Sequence, residues 1–312
     1  MLEFTLTETR APYLQETFIE LYMNGFYTGL FFVTLHGMVF RRGIHRSNPG
    51  LFFVLVMMYM LATMHMICRW IVTRNAFINN GATAVTISVY LLQPPLWLAV
   101  LPAVVLTVNT LLADFVLIWR YWIIWNQNWV VVALPIMCTL SGAALGFKSI
   151  QEQAAYIINP NLDHDAFVDF ATPYFSLSLA TTCLATLLIV VRIITMSDGN
   201  TRKARGYTRV IEIVVESALL YSVAMAIFLA WLVSTADFSD GYAEAVVTQI
   251  TGIAPTLIVA RVSYGLARPD ETWQSPISTL RMRGVQSTSQ GPNSMGVTGV
   301  SNHSHASEPQ SF

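Results

Sequence analysis

Charged residues are scarce in this chain. Of its 312 residues only 11% are charged and 54% are hydrophobic, whereas soluble domains carry about 25% charged residues. Its three cysteines, Cys68, Cys138 and Cys183, all lie in apolar segments, where cysteine usually serves as a small packing residue. The composition therefore excludes an ordinary soluble domain and a disulfide-stapled fold, and it indicates a membrane protein.

Lysine occurs only as Lys148 and Lys203, and both lie at or beyond the ends of apolar segments. A retinal protein needs a buried lysine for its Schiff base, so a microbial rhodopsin is excluded. The sequence also lacks His-Glu-x-x-His, Gly-x-Ser-x-Gly, a Gly-rich phosphate loop and Cys-x-x-Cys. We expect no enzyme activity, no cofactor, no metal site and no nucleic-acid partner.

Long apolar runs dominate what is present. A spanning helix needs roughly 20 mostly apolar residues, and these runs are too continuous for barrel strands of about 10 residues. The predicted fold is all-α, a polytopic membrane bundle of seven transmembrane helices. The predicted spans are residues 18–40, 50–73, 95–124, 129–147, 172–195, 208–233 and 242–266.

The remaining segments are predicted from their composition. Residues 75–94, which contain Asn79, Gly81 and Pro94, are an outer loop with an interfacial piece rather than an eighth span. Residues 1–17 form the extracytoplasmic N-terminus, and 18–268 the transmembrane domain. Residues 269–312 are rich in Ser, Gly, Asn and Gln and cannot bury enough apolar surface to fold. They are predicted to be a disordered cytoplasmic tail.

Basic residues fix the predicted orientation. Cytoplasmic loops carry an excess of lysine and arginine. With the N-terminus outside and the C-terminus cytoplasmic, 13 of the 17 lysines and arginines lie inside. We expect a multi-pass integral protein, in the plasma membrane, with the lipid bilayer as its first partner.

Ionisable side chains inside a membrane helix are expensive and mark candidate functional sites. At the inner side, Arg261 pairing with Glu216 or with Asp114 would neutralise charges that cannot stand alone. Three interpretations stay open for this inner layer: a structural ion-pair network, a switch that breaks when a helix moves, or a proton path. Its residues are Asp114, Arg120, Arg192, Glu212, Glu216 and Arg261.

An outer layer consists of Glu20, His65 and Arg69. His65 and Arg69 are four residues apart on one helix face, and Glu20 and Arg69 lie near the outer surface, where they can pair. The layer is either a clamp between the first two helices or a ligand- or pH-sensing site, because histidine titrates near neutral pH.

Proline and glycine mark bends and close packing. Pro255 lacks an amide hydrogen and is predicted to kink the last helix as a hinge. Gly25-xxx-Gly29 and Gly142-xxx-Gly146 allow close helix approach. Packing within the chain is favoured over a homodimer, which stays an alternative.

Several helices carry familiar strings. ADFVLIWRYWIIWNQNWVVVALP, SLSLATTCLATLLIVVRI, IEIVVESALLYS and TGIAPTLIVARVSYG resemble a large group of seven-helix membrane proteins of mushroom-forming fungi. The resemblance implies the topology and little chemistry. G-protein-coupled receptors are a weaker resemblance: Arg120-Tyr121 is similar to their Asp-Arg-Tyr motif, but Trp119 replaces the acid, and the Asn-Pro-x-x-Tyr pattern is missing.

The sequence favours a receptor-like membrane protein that senses a small molecule and passes the signal to a cytoplasmic partner. A transporter or a proton or ion channel is the alternative, and a non-catalytic scaffold is a third interpretation.

The charge asymmetry makes the topology testable. A tag before Met1 should be accessible on intact cells, and a tag after Phe312 should become accessible only after permeabilisation. Protease treatment of intact cells that removes the C-terminal tag would contradict the predicted orientation.

Overall fold

The computed structural model describes residues 10–41, 49–159, 165–197, 201–234 and 240–264, and every structural statement below refers to these ranges. They are helical and contain no strand, which confirms the all-α part of the predicted fold. The helices are α1 (Arg10–His36), α2 (Pro49–Arg74), α3 (Ala84–Leu92), α4 (Leu96–Ile124), α5 (Trp129–Ile158), α6 (Asp165–Ser197), α7 (Thr201–Val233) and α8 (Asp240–Ser263). Single π-helical turns follow α1 at Gly37–Arg41 and α2 at Asn75–Asn79.

Six of the described helices are long and apolar enough to cross a bilayer. The candidate spans are Pro49–Asn79, Leu96–Ile124, Trp129–Ile158, Phe167–Arg192, Val214–Val233 and Gly241–Arg261. The length and apolar composition of these helices identify the protein as a multi-pass integral membrane protein. The first predicted span, 18–40, falls on α1, which is not among the six because polar residues interrupt it.

Several helices are longer than predicted. α1 begins at Arg10 and α7 at Thr201. The predicted spans 129–147 and 172–195 leave residues 148–171 outside any helix, and this is wrong for most of the segment. α5 continues to Ile158, supported by an ion pair of 2.5 Å between Lys148 and Glu152, one turn apart. α6 begins at Asp165.

The segment between α2 and α4 holds no eighth span. After the π-helical turn, α3 contains only 9 residues, far short of the roughly 20 needed to cross a bilayer. A capping box at its start joins the Thr83 and Thr86 side chains to the backbone. The division of the chain between Pro269 and Asp270 and the predicted disordered tail lie outside the described residues.

A tight turn makes α4 and α5 antiparallel neighbours. Asn126 and Gln127 adopt the left-handed region, with φ of 52° and 63°, which asparagine tolerates better than most residues. Asn128 caps α5 by accepting a hydrogen bond of 3.1 Å from the Val130 amide. The Tyr121 hydroxyl donates to the Val131 carbonyl at 3.2 Å and fixes the two helix ends together.

α8 is the central helix of the bundle. It packs against α1, α2, α4 and α7, and 83% of its spanning segment is buried, against 22% to 39% for the other five candidate spans. Small residues make this crowding feasible: at Gly252 the Tyr27 ring of α1 lies so close that an added Cβ would be 2.6 Å from its hydroxyl. A movement of α8 therefore requires its neighbouring helices to move as well.

The bundle is apolar outside and partly polar inside. On α1 the buried face carries Glu16, Glu20 and Asn24, whereas Phe18, Phe26 and other large apolar side chains face outward. This arrangement is the reverse of a soluble amphipathic helix and suits a helix whose outer surface meets lipid.

The two glycine pairs behave differently. Gly142 and Gly146 pack against Tyr174 of α6. A Cβ added at Gly146 would lie 3.2 Å from the Tyr174 ring. A Cβ added at Gly25 or Gly29 would meet no atom of the described residues within 4 Å, so in this part of the chain the expectation that the pair packs against another helix is wrong. These two glycines lie on the outward face of α1.

Replacing Gly252 by alanine should destabilise the bundle by about 1–3 kcal/mol, because the buried Tyr27 ring has no room to retreat. Gly25→Ala, on the neighbouring helix with open space around it, is the matched control and should be neutral or slightly stabilising. Thermal unfolding in detergent measures both. Equal melting temperatures would show that α1 and α8 do not pack this closely.

Candidate functional site

A cluster of charged side chains joins α1, α2 and α8 at their proposed outer ends. α1 contributes Glu16 and Glu20, one turn apart on its buried face, and α2 contributes His65 and Arg69, also one turn apart. α8 adds Glu244 near its first turn. We call these five residues the outer cluster.

Arg69 holds the three carboxylates together. Its Nη1 lies 2.9 Å from Glu16 Oε2, its Nε lies 2.9 Å from Glu20 Oε2, and its Nη2 lies 2.6 Å from Glu244 Oε2. A guanidinium presents its donors in a fixed planar fork, so one side chain fixes the positions of three carboxylates on two other helices.

His65 lies between two of the same carboxylates. Its Nδ1 is 2.6 Å from Glu20 Oε1, and its Nε2 is 3.5 Å from Glu244 Oε1. The His65 and Glu20 side chains are 0% and 1% exposed, whereas Glu244 is 29% exposed. The cluster is therefore buried at its centre and reaches the surface through Glu244.

Amides extend the outer cluster into the bundle. Gln249 of α8 donates to Glu20 Oε1 at 3.5 Å and to the Ala62 carbonyl at 3.3 Å. Its own side-chain oxygen accepts a hydrogen bond from Asn24 at 3.3 Å. Among the described residues, no group of three or more His, Cys, Asp or Glu side chains is arranged to hold a metal ion.

The sequence identified part of this cluster. The structure brings Glu20, His65 and Arg69 together. Glu16 and Glu244 were missed, although Glu16 stands one turn before Glu20 and α8 starts with an acidic residue among small ones. The four-residue spacing of Glu16 and Glu20 could have indicated that both carboxylates lie on one face of α1. Glu244 could not be assigned without knowing which helix packs between α1 and α2.

Among the described residues, the inner charged side chains make several separate contacts. Asp114, buried in α4, accepts a hydrogen bond of 3.1 Å from Ser178 of α6, and Ser178 lies 3.1 Å from the Tyr221 hydroxyl of α7. Arg261 contacts Glu216 and not Asp114, so the second predicted pairing is not formed in the described part of the chain. Arg192 stacks on Trp125, with 5.1 Å to the ring centroid.

The ion pair between Arg261 of α8 and Glu216 of α7 lies at the bundle surface. Glu216 is 60% exposed and Arg261 is 29% exposed, so the prediction of a buried pair is wrong. The reason is the orientation of α7, whose residues Val215, Glu216 and Leu219 face outward. The Glu212 side chain lies outside the described residues.

Two cavities lie behind this ion pair. One of about 80 Å³ between α7 and α8 is lined by Glu216, Ser217, Leu220, Leu257, Ile258 and Arg261. A smaller one of about 20 Å³ reaches Arg120, Thr182 and Pro255, and a volume of that size holds a single water molecule. Pro255 lies inside α8 without ending it, next to this space.

Comparison of the chain with protein families, with characterised proteins and with solved structures finds no match.

Removing the cation from the outer cluster should destabilise the protein strongly. Arg69→Gln leaves buried carboxylates without their partner, which costs about 3–5 kcal/mol. Arg74→Gln, the same change one turn later at an exposed position of α2, is the matched control and should change stability little. Chemical unfolding in detergent measures both variants, and equal stabilities would show that Arg69 does not hold the helices together.

Proposed function

We propose that the protein is a receptor-like, non-enzymatic plasma-membrane protein with seven spans, in which α8 transmits a change at the outer cluster to the cytoplasmic face. In this proposal α1 is the seventh span, the N-terminus is extracytoplasmic and the C-terminus is cytoplasmic. The resemblance to seven-helix proteins of mushroom-forming fungi agrees with this topology, and a small molecule outside and a signalling protein inside are its proposed partners.

The observation that carries the proposal is the position of α8. Glu244 near its outer end belongs to the outer cluster, and Arg261 near its inner end pairs with Glu216. The two residues are 17 positions apart, which corresponds to about 25 Å of helix. One buried helix therefore connects two charged contacts on opposite sides of the proposed membrane.

Three features of the inner end of α8 support the proposal that it can move between two positions relative to α7. Its ion pair with α7 lies at the bundle surface rather than in the packed interior. The cavity of about 80 Å³ beside the pair leaves room for side chains to repack. Pro255 deprives the preceding turn of one backbone hydrogen bond, which makes bending easier at that level.

The inner ion pair can be tested through the separation of helix ends. In a protein without native cysteines, spin labels at Leu219→Cys of α7 and Ile123→Cys of α4 report the distance between two exposed positions. Arg261→Gln should lengthen or broaden this distance, because α7 loses its charged contact with α8. Pulsed electron paramagnetic resonance in lipid nanodiscs measures it.

The reversed pair Glu216→Arg with Arg261→Glu is the matched control, and it should keep the distance of the unsubstituted protein. An unchanged distance in Arg261→Gln would contradict a switching role for the pair. A flux measurement on the same protein in liposomes tests the alternative function. Proton flux above that of empty liposomes would favour the transporter or channel, for which the sequence suggested Glu212, Glu216 and Asp114.

A further inference from the structure

We propose that the outer cluster is a proton-binding site, in which the proton resides on His65 between Glu20 and Glu244. The inference goes beyond the proposed function, since it concerns what the cluster binds and does not depend on transmission through α8.

Both ring nitrogens of His65 face carboxylate oxygens, at 2.6 Å for Glu20 and 3.5 Å for Glu244. A neutral imidazole has one N–H donor and one lone pair, whereas an imidazolium has two donors. In the neutral form one nitrogen would direct a lone pair at a carboxylate. The doubly protonated form directs an N–H at each carboxylate, as a hydrogen bond to Glu20 and as a longer electrostatic contact with Glu244.

The charge balance points the same way. Glu16, Glu20 and Glu244 bring three negative charges, and Arg69 brings one positive charge. Among the contacts that the described residues make within the outer cluster, one cation therefore faces three carboxylates. Excess charge of one sign is costly away from water, and a proton on His65 reduces that excess.

The direct contacts favour a proton over a larger ligand. Arg69 touches all three carboxylates at 2.6–2.9 Å, and Glu20 touches His65 at 2.6 Å. No gap separates these partners for an intervening metal ion. Glu244, partly exposed at the rim, offers the entry path to the buried ring.

Glu20 and Glu244 face His65 directly, and further titratable or polar groups from all three helices contact the rest of the outer cluster. α1 presents Tyr13, Glu16 and Glu20, and α2 presents Cys68 and Arg69. α8 presents Tyr242, Glu244 and Gln249. Apart from His65, Arg69 is the one cationic side chain among these described groups. Loss of the proton would make the junction of α1, α2 and α8 more negative by one charge.

The test observes the ring directly. The chain contains 6 histidines. Replacing His36, His45, His164, His303 and His305 by glutamine leaves His65 as the lone histidine and keeps all five residues of the outer cluster. Nitrogen-15 magnetic resonance of this full-length protein in nanodiscs distinguishes the doubly protonated ring from either neutral tautomer.

At about pH 7.5, where most water-exposed histidines are neutral, the doubly protonated form of His65 should be the predominant form. Glu20→Gln in the same background should convert the ring to a neutral tautomer. Glu152→Gln, a carboxylate paired with Lys148 away from the cluster, is the matched control and should leave the signal unchanged.

A neutral His65 at this pH in the otherwise intact cluster would overturn the proposal. A neutral ring whose signal responds to added Na⁺ rather than to pH would assign the site to a metal cation and would equally overturn it. Because the unsubstituted cluster is measured first, a variant that fails to fold does not decide the result.

Discussion

The fork of contacts made by Arg69 is the constraint on which the rest of this bundle depends. A single guanidinium on α2 pairs with Glu16 and Glu20 of α1 and with Glu244 of α8. Buried charges are tolerated only when each has a partner. The three helices therefore have one relative arrangement in which their charges are satisfied, and sliding any one of them by a turn would strand at least one carboxylate.

This constraint explains the central position of α8. Contact with lipid would be unfavourable for this helix because it carries many polar residues. Among them are Thr248, Gln249 and Thr251, and all three are buried. Its neighbours supply partners: Asn109 of α4 donates to the Thr248 carbonyl at 3.3 Å. The large apolar side chains that would occupy the core of a soluble bundle lie mostly on the outside, where a bilayer supplies their solvent.

The sequence predicts the helical class, the multi-pass character and three of the five residues of the outer cluster, because these depend on run length and on spacing within one helix. Pairing between distant helices is less accessible. Glu244 and Arg69 are 175 residues apart, and no local pattern links them. The exposure of Glu216 was also missed, since the rotation of α7 about its axis follows from packing against α6 and α8. The extension of α5 to Ile158 was not predicted, because its last turns contain polar residues and lack the continuous apolar run that marks a span.

The central claim, that α8 couples the outer cluster to the inner ion pair, is tested most directly by a double-mutant cycle across the helix. Unfolding free energies are measured for Glu244→Gln, Arg261→Gln and the double variant in one detergent. Coupling through α8 predicts that the double variant departs from the sum of the single changes by about 0.5–2 kcal/mol. Agreement with that sum to within about 0.3–0.5 kcal/mol, as for independent sites, would contradict the account.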